Sequence, residues 1–246
     1  MPKIEAARKY QRGTDVASIR ALLEDIPETK TLTLLRKEYA SILKPNPKTY
    51  WVDLVASGSI GWLAFSLSLN TAAGTALYFF TSLVAAFALL RSVLFIHEIA
   101  HYKRGTLPGF EIAWHFVVGL PFLLPSIMYV GSHGDHHRPH IYGTIRDPEY
   151  TKLASGNVLT LLGFVLGTIF VPVLLILRWG LLGPVSYFSP KMRAFLIRHG
   201  STLVINPWYQ RPFTKPRYRR RWLIQEVAVT FMVWAVSCGL VAEQLP

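Results

Sequence analysis

The chain has 246 residues and carries 26 lysines and arginines against 14 aspartates and glutamates, a formal net charge of +12. Hydrophobic residues make up 51% of it and charged residues only 16%, well below the roughly 25% charged residues of ordinary soluble domains. This composition excludes a disordered chain, and the single cysteine excludes a disulfide framework and any Cys-x-x-Cys zinc site. The basic residues fall in blocks between long uncharged stretches, which is typical of a membrane protein with a basic cytosolic side and not of a nucleic-acid-binding protein. We therefore predict an all-α integral membrane protein that has no nucleic-acid partner.

Residues 1–50 are predicted to form a cytosolic or interfacial segment that precedes a membrane domain of residues 51–246. The segment holds ten lysines and arginines and six acidic residues. No apolar core follows its charged start, so we expect no signal peptide. Apolar residues recur there at helical spacing, which predicts two amphipathic stretches. These residues are Val16, Ile19, Leu22 and Leu23, and then Leu32, Leu35, Tyr39 and Ile42.

About three full transmembrane helices are predicted. The 37 residues between Asp53 and Arg91 are uncharged, which is too long for one span of about 20 residues and fits two. We place these spans at 51–69 and 73–96, and a third at 222–241. Residues 191–221 contain nine lysines and arginines and no acid. By the positive-inside rule this segment and the N-terminus face the cytosol, and so does the end of the second span.

Two further apolar stretches are predicted to be re-entrant or interfacial. Residues 112–132 contain Gly119, Pro121 and Pro125, which argue for a broken helix that does not cross the membrane. Residues 153–190 include Arg178 and, before the final Pro190, two prolines. Because both ends of that stretch adjoin cytosolic segments, the chain must cross an even number of times there, and a bent hairpin is the preferred interpretation.

Five of the eight histidines fall in two tight clusters. His97 and His101 are four residues apart at the end of the second span, which puts both imidazoles on one helical face. The second cluster follows the re-entrant stretch, so both clusters face the cytosol and can meet. Imidazole is a good ligand for iron, zinc or copper. We predict the metal ligands His97, His101, His133, His136 and His137, with His140 as an additional candidate and no catalytic residue beyond the ligands.

The other two histidines and two other functional classes remain open at this stage. We expect His115 and His199 to be interfacial polar residues. The string His97-Glu98-x-x-His101 also matches the zinc hydrolase signature, in which Glu98 would activate water. That alternative, a membrane-embedded hydrolase, leaves the second cluster without a role. A non-enzymatic membrane protein is the third class.

The motifs HEIAH at 97–101 and HGDHH at 133–137 resemble the first two histidine boxes of the membrane fatty acid desaturase superfamily, and residues 137–150 resemble its bacterial members. The resemblance implies a non-haem di-iron enzyme that uses O2 to desaturate, or to hydroxylate, a fatty acyl chain. It implies that the five box histidines are iron ligands, and it assigns no metal role to Glu98, Asp135 or Glu149. It also implies a membrane lipid or acyl substrate and an electron donor such as a ferredoxin or a cytochrome b5-type protein. The expected location is a bacterial inner membrane in preference to the endoplasmic reticulum.

The chain departs from that family pattern in one respect. Desaturases have a third HxxHH box, and no histidine follows His199 here. Three spans also leave the C-terminus one crossing short of the cytosol. We therefore expect residues 51–246 to be a truncated or divergent desaturase-like domain that, by itself, binds less than a full iron pair and turns over little.

Overall fold

The structure is a computed structural model that describes Leu34, Lys37 and residues 45–102, 105–150, 156–203, 206, 208–212 and 218–243. The chain divides into two units, Met1–Asn46 and Pro47–Pro246, and the second is described here. The amphipathic stretches predicted within residues 16–42 lie outside the described residues, so that interpretation stays a prediction.

The described part of the chain is helical and contains no strand. Its helices are α1 (Pro47–Leu69), α2 (Ala76–His101), α3 (Phe110–Trp114), α4 (Ile127–His136), α5 (Val158–Leu177), α6 (Gly183–Ser186), α7 (Pro190–His199) and α8 (Arg219–Ala242). A π-helical segment, His115–Gly119, continues α3, and a second one, Arg178–Leu182, joins α5 to α6. Four helices are long and apolar enough to cross a membrane: α1, α2, the continuous Val158–Ser186 and α8. The fold is that of an all-helical membrane protein, as the composition predicts.

The α1–α2 hairpin forms the frame on which the first histidine cluster sits. The two helices pack closely because Gly61 of α1 faces Leu89 of α2, where an added Cβ would lie 2.6 Å from the Leu89 side chain. The hydroxyls of Ser57 and Ser92 are 2.8 Å apart in the same interface. Helix α2 extends five residues beyond the predicted apolar span and ends at His101. Both histidines therefore lie in the polar end of α2, beyond the apolar span predicted from the sequence.

The re-entrant interpretation of residues 112–132 agrees with the structure. The apolar helix Phe110–Gly119 is too short to span a bilayer, which needs about 20 residues. Its Trp114 is fully buried, and the indole N–H donates to the carbonyl of Ser92 at 2.8 Å. The chain then reverses through Leu123, whose φ is 58°, and returns in α4 to pack on α2. This reversal brings the second histidine cluster to the end of α2 that carries the first.

The hairpin predicted within residues 153–190 is wrong, because Val158–Ser186 is one continuous helical stretch. Pro172 is accommodated inside α5, and Pro184 is accommodated in α6, the last part of the same stretch. Arg178 does not mark a turn either, since it is buried and donates to the carbonyl of Gly200 at 2.5 Å and to Glu226 at 3.2 Å. The part of the chain that the structure describes accordingly contains four candidate spans and not three.

Candidate metal centre

Two helices, α2 and α4, supply the histidines of the candidate centre. His97 and His101 lie one turn apart at the end of α2, and their Nε2 atoms are 3.1 Å apart. His133 lies in α4, which packs against α2, and its ring is buried. The side chain of Tyr129, one turn before His133, stacks on the His133 ring at 4.7 Å and contacts His97 Nδ1 at 3.3 Å. The end of α2 and the helix α4 thus present their imidazoles to one another.

His115 fixes the start of α4 and is not part of the centre. Its Nδ1 donates to the carbonyl of Glu111 at 2.7 Å, so its Nε2 carries the lone pair that accepts the backbone N–H of Ser126 at 3.2 Å. The Ser126 hydroxyl donates to Glu111 Oε1 at 2.5 Å, and Arg221 of α8 forms an ion pair with the same carboxylate. Burial acts to raise the pKa of Glu111, but the Ser126 hydroxyl and Arg221 hold that pKa below its usual value. This network anchors the helix that carries the second cluster.

Four Nε2 atoms converge, two from each cluster. His101 Nε2 is 3.1 Å from His97 Nε2 and 2.9 Å from His133 Nε2. His133 Nε2 is in turn 3.1 Å from His137 Nε2. We call the set His97, His101, His133 and His137 the four-nitrogen cluster. Residues 32 positions apart in sequence therefore share one small site.

The four-nitrogen cluster fits a metal ion better than it fits hydrogen bonds. A ring nitrogen has one in-plane position, which holds either a proton or a lone pair. The Nε2 of His101 faces two other Nε2 atoms, and so does that of His133, so hydrogen bonding cannot satisfy both contacts. Two nitrogens that share an ion at about 2.1 Å can lie no more than about 4.2 Å apart, and the observed separations of 2.9–3.1 Å are within that limit. His97, His101 and His133 also form a group able to hold one metal ion.

The remaining histidines lie outside this set. His136 has its ring 5.2 Å from that of His137, and its Nε2 is 4.0 Å from Glu149 Oε2. His140 is exposed, and no contact of the described residues joins it to the four-nitrogen cluster. His199 is exposed at the end of α7 with its ring against Phe195. The metal roles of His136 and His140 therefore stay predictions.

Two carboxylates orient the histidines of α4. Glu149 Oε1 lies 2.6 Å from His133 Nδ1, and Asp147 Oδ1 lies 2.8 Å from His136 Nδ1. Each contact places the imidazole proton on Nδ1 and leaves the lone pair on Nε2, the arrangement typical of histidines that bind metal. Sequence reasoning missed both roles, because these acids follow the cluster on an irregular loop where no helical spacing links them to a histidine.

Asp147 is itself held rigidly. It is buried and accepts the backbone N–H groups of Gly143 at 2.8 Å and Glu149 at 2.9 Å. Burial acts to raise the pKa of Asp147, but these N–H groups and His136 lower it overall. Burial lowers the pKa of His133 despite the nearby Glu149, which favours the neutral ring that a metal ion requires.

The other acids near the clusters have different partners. The carboxylate of Glu98 accepts hydrogen bonds from the hydroxyls of Tyr50 at 3.2 Å and Tyr102 at 2.8 Å. Asp135 is buried and accepts the hydroxyl of Tyr209 at 2.6 Å. Burial raises the pKa of both Tyr102 and Tyr209, and the adjacent carboxylates act in the same direction. These acids thus join the cluster-bearing helices to neighbouring segments.

Comparison with known proteins assigns the family. The fatty acid desaturase family matches residues 73–242, which include both histidine clusters. The chain is also 38% identical over 199 residues to a ceramide hydroxylase of Caulobacter vibrioides (strain NA1000 / CB15N). That match covers 81% of this chain and 56% of the relative, so the chain spans little more than half the relative's length. No solved structure matches the chain. Since the family match extends over more than half of its length, the chain belongs to the fatty acid desaturase family.

Proposed function

We propose that the protein is a membrane-bound, O2-dependent oxidoreductase that oxidises the acyl chain of a lipid at a histidine-ligated non-haem iron centre. The observation that carries this proposal is the convergence of four Nε2 atoms from two separate helices at spacings of 2.9–3.1 Å. Family membership supports iron as the metal. Iron, when bound, would supply the activation of O2 that attack on an unreactive C–H bond requires.

Within this reaction class we place hydroxylation ahead of desaturation. The similar Caulobacter protein is a ceramide hydroxylase, whereas the sequence motifs alone favour desaturation. A bilayer lipid is the proposed substrate, because α2 is apolar and lipid-exposed along much of its length and ends at His97 and His101. Desaturation of the same chain is the second candidate, and product analysis separates the two.

The protein's own residues bind the iron and orient the histidines that hold it. Glu149 and Asp147 hold the Nδ1 protons of His133 and His136, so that the opposite ring nitrogens stay unprotonated. His136 is included in the proposal as a ligand of a second iron, and His140 as an additional candidate.

Electrons must come from a separate donor, for which we propose a ferredoxin or a cytochrome b5-type protein. The basic residues within 191–221 would attract an acidic donor to the histidine side of the membrane. We propose that this side is cytosolic and that the membrane is a bacterial inner membrane.

The zinc hydrolase alternative is disfavoured by the surroundings of Glu98. The hydroxyls of Tyr50 and Tyr102 both donate hydrogen bonds to the Glu98 carboxylate and hold it in place. A hydrolase would also need only one ligand beyond His97 and His101, whereas two further Nε2 atoms lie in the four-nitrogen cluster. The Glu98→Gln variant should therefore keep iron binding and lipid oxidation.

Elemental analysis of the purified protein tests the proposal, together with product analysis after incubation with lipid, electron donor and O2. His101→Ala should remove most of the iron and all oxidation, because His101 Nε2 contacts two others of the set. The matched control His199→Ala should leave both unchanged, since His199 is exposed and remote from the cluster. Tight zinc that is kept in Glu98→Gln while peptide hydrolysis is lost would overturn the proposal in favour of a hydrolase. A wild-type protein that binds no metal and oxidises no lipid would indicate the non-enzymatic class.

A further inference from the structure

A cavity of about 510 Å³ lies beside His97 on the α1–α2 hairpin. Its wall reaches from Tyr129 and His97 to Leu94 and then to an ion pair between Asp53 of α1 and Arg91 of α2. Leu94 is half exposed and belongs to a helix that is long and apolar enough to cross the membrane. The cavity therefore connects the candidate metal centre with the lipid-facing surface of the hairpin.

The ion pair is unusual for a lipid-facing position. Arg91 follows fifteen residues of α2 and pairs with Asp53 through two of its nitrogens. The side chain of Arg91 is 53% exposed and that of Asp53 is 29% exposed. Ionised side chains in membrane-spanning helices are costly and rare, and where they occur they commonly mark a functional site. The guanidinium also lies over the ring of Phe95 at 5.0 Å, which fixes its orientation at the cavity wall.

The pair lies close to the four-nitrogen cluster. Arg91 precedes His97 by six residues of one helix, a rise of about 9 Å along the helix axis. Tyr50 of α1, which lines the same cavity, is an aromatic residue of the kind that marks the membrane interface. The same cavity runs from the ion pair to His97 and Tyr129, so an acyl chain that lies along it from a polar linkage on the pair would come within reach of the histidines.

We propose that the cavity binds the polar linkage of a membrane lipid through Asp53 and Arg91, and that the linkage is an amide. The carboxylate accepts hydrogen bonds and the guanidinium donates them, so the pair offers both functions side by side. A secondary amide has both an N–H donor and a carbonyl acceptor. An ester or a thioester has no donor, and a phosphate would be repelled by Asp53. This inference deepens the proposed function by naming the substrate class, and it rests on that function only for what then happens to the chain.

Competitive photolabelling tests the inference in the iron-free 246-residue chain in phosphatidylcholine nanodiscs. The probes are a diazirine-bearing N-acyl sphingosine, a diacylglycerol ester with the same labelled chain, and the corresponding acyl-CoA. We expect the wild type to label with the amide about tenfold more than with either other probe, the effect of roughly 1–2 kcal/mol of hydrogen bonding within a membrane. The variant Asp53→Leu with Arg91→Met keeps apolar packing at this lipid-exposed position. It should label with the amide probe no more than about twofold more than with either other probe.

A matched control distinguishes recognition of the lipid linkage by Asp53 and Arg91 from a general weakening of the packing between α1 and α2. The double variant Ser57→Ala with Ser92→Ala removes a buried hydrogen bond from the same helix pair, at residues that do not line the cavity. It should lower the melting temperature and leave the amide preference intact. Equal labelling by the amide and ester probes in the wild type would overturn the inference, and so would an undiminished preference in the Leu–Met variant. Because labelling needs no iron, failure of the proposed oxidation would leave this result standing, and the reverse also holds.

Discussion

Glu149 acts on the candidate centre through His133, because its carboxylate holds the Nδ1 proton of that ring at 2.6 Å. The ring is buried, so no water can replace this partner readily. An imidazole without it could flip or change tautomer and withdraw its Nε2 from the four-nitrogen cluster. The arrangement matches the general pattern in which an outer carboxylate fixes a metal-binding histidine.

We expect Glu149→Ala to lower iron affinity by about 10–100-fold, the usual effect of losing such a partner. Glu149→Gln should lie between this variant and the wild type, because its amide oxygen can still accept the Nδ1 proton. Competition with a calibrated chelator measures the affinity without any turnover. Glu98→Gln is the control, since the Glu98 carboxylate is bonded to two tyrosine hydroxyls. Equal affinity in Glu149→Ala and the wild type would show that Glu149 does not orient His133.

At the scale of elements, the sequence predicts helices far better than it predicts what happens between them. The apolar runs before Arg91 and after Arg221 correspond to α1, α2 and α8, because long uncharged runs are typical of membrane-spanning helices. Prolines and an arginine indicate chain reversals in two stretches, and only one of the two stretches reverses in the structure. Pro121 and Pro125 lie at a real chain reversal, whereas Arg178 is buried by pairing with Glu226, a residue 48 positions away. Such a partner leaves no local signal.

Close packing of α1 on α2 gives a prediction at this scale. In Gly61→Ala the new Cβ would meet the Leu89 side chain at 2.6 Å and the backbone nitrogen of Leu89 at 3.1 Å, so the helices must move apart. We expect a loss of about 1–3 kcal/mol, typical of overpacking, and a lower melting temperature in detergent. In the control Gly167→Ala on α5, nothing lies within 4 Å of the new Cβ, so the melting temperature should be unchanged or slightly higher. Equal melting temperatures in both variants would contradict the packing described for the hairpin.

At the scale of the whole membrane domain, one buried carboxylate joins α8 to two other parts of the chain. Glu226 is 2% exposed and pairs with Arg178 at 3.2 Å and with Arg193 of α7 at 2.6 Å. The hydroxyl of Tyr187 and the indole of Trp222 also donate to it. Its removal would leave two guanidinium groups without this carboxylate in a mostly apolar setting.

We expect Glu226→Gln to destabilise the domain by about 3–5 kcal/mol, the usual effect of breaking a buried ion pair by removing one partner. Thermal unfolding in detergent measures this loss. The control is Glu243→Gln, because Glu243 is exposed just after α8 and its loss should be nearly neutral. A melting temperature of Glu226→Gln close to that of the wild type would show that the cluster contributes little.

The meeting of the two histidine clusters could be predicted from the sequence, since HEIAH and HGDHH flank a stretch that cannot span. The selection of His137 over His136 for the four-nitrogen cluster could not be predicted. Both residues lie one turn after His133, three and four positions along, so helical spacing alone does not choose between them. The choice depends on Asp147, which contacts the Nδ1 of His136 at 2.8 Å. The supporting carboxylates likewise depend on the folding of the loop around Asp147.

The structure and the charge pattern together predict the sidedness of the membrane domain. The α1–α2 turn at residues 70–74 lies at the end of the hairpin opposite His97. Helix α8 begins beside Glu111, to which Arg221 is paired, and its 24 residues extend about 36 Å away from there. Residues 70–74 and Glu243 should therefore share one side, and the loop around Ile145, which adjoins the clusters, should lie on the other. This placement requires that Val158–Ser186, although long and apolar enough to span, makes no net crossing. Arg178, near the end of that stretch, pairs with Glu226 close to the histidine-side start of α8. By the positive-inside rule, the basic segment 191–221 predicts that the histidine side is cytosolic.

Single cysteines in a Cys238→Ser background test this topology in sealed membrane vesicles of known orientation. Ile145→Cys should react with an impermeant maleimide from the cytosolic side, and Ala73→Cys and Glu243→Cys from the opposite side. All three positions are exposed, so a lack of reaction from one side reports the membrane barrier and not burial. Reaction of Ile145→Cys only from the outer side would reverse the proposed orientation. Reaction of Ala73→Cys and Ile145→Cys from the same side would mean that α2 does not cross the bilayer, and the lateral route from lipid to His97 would then be lost as well.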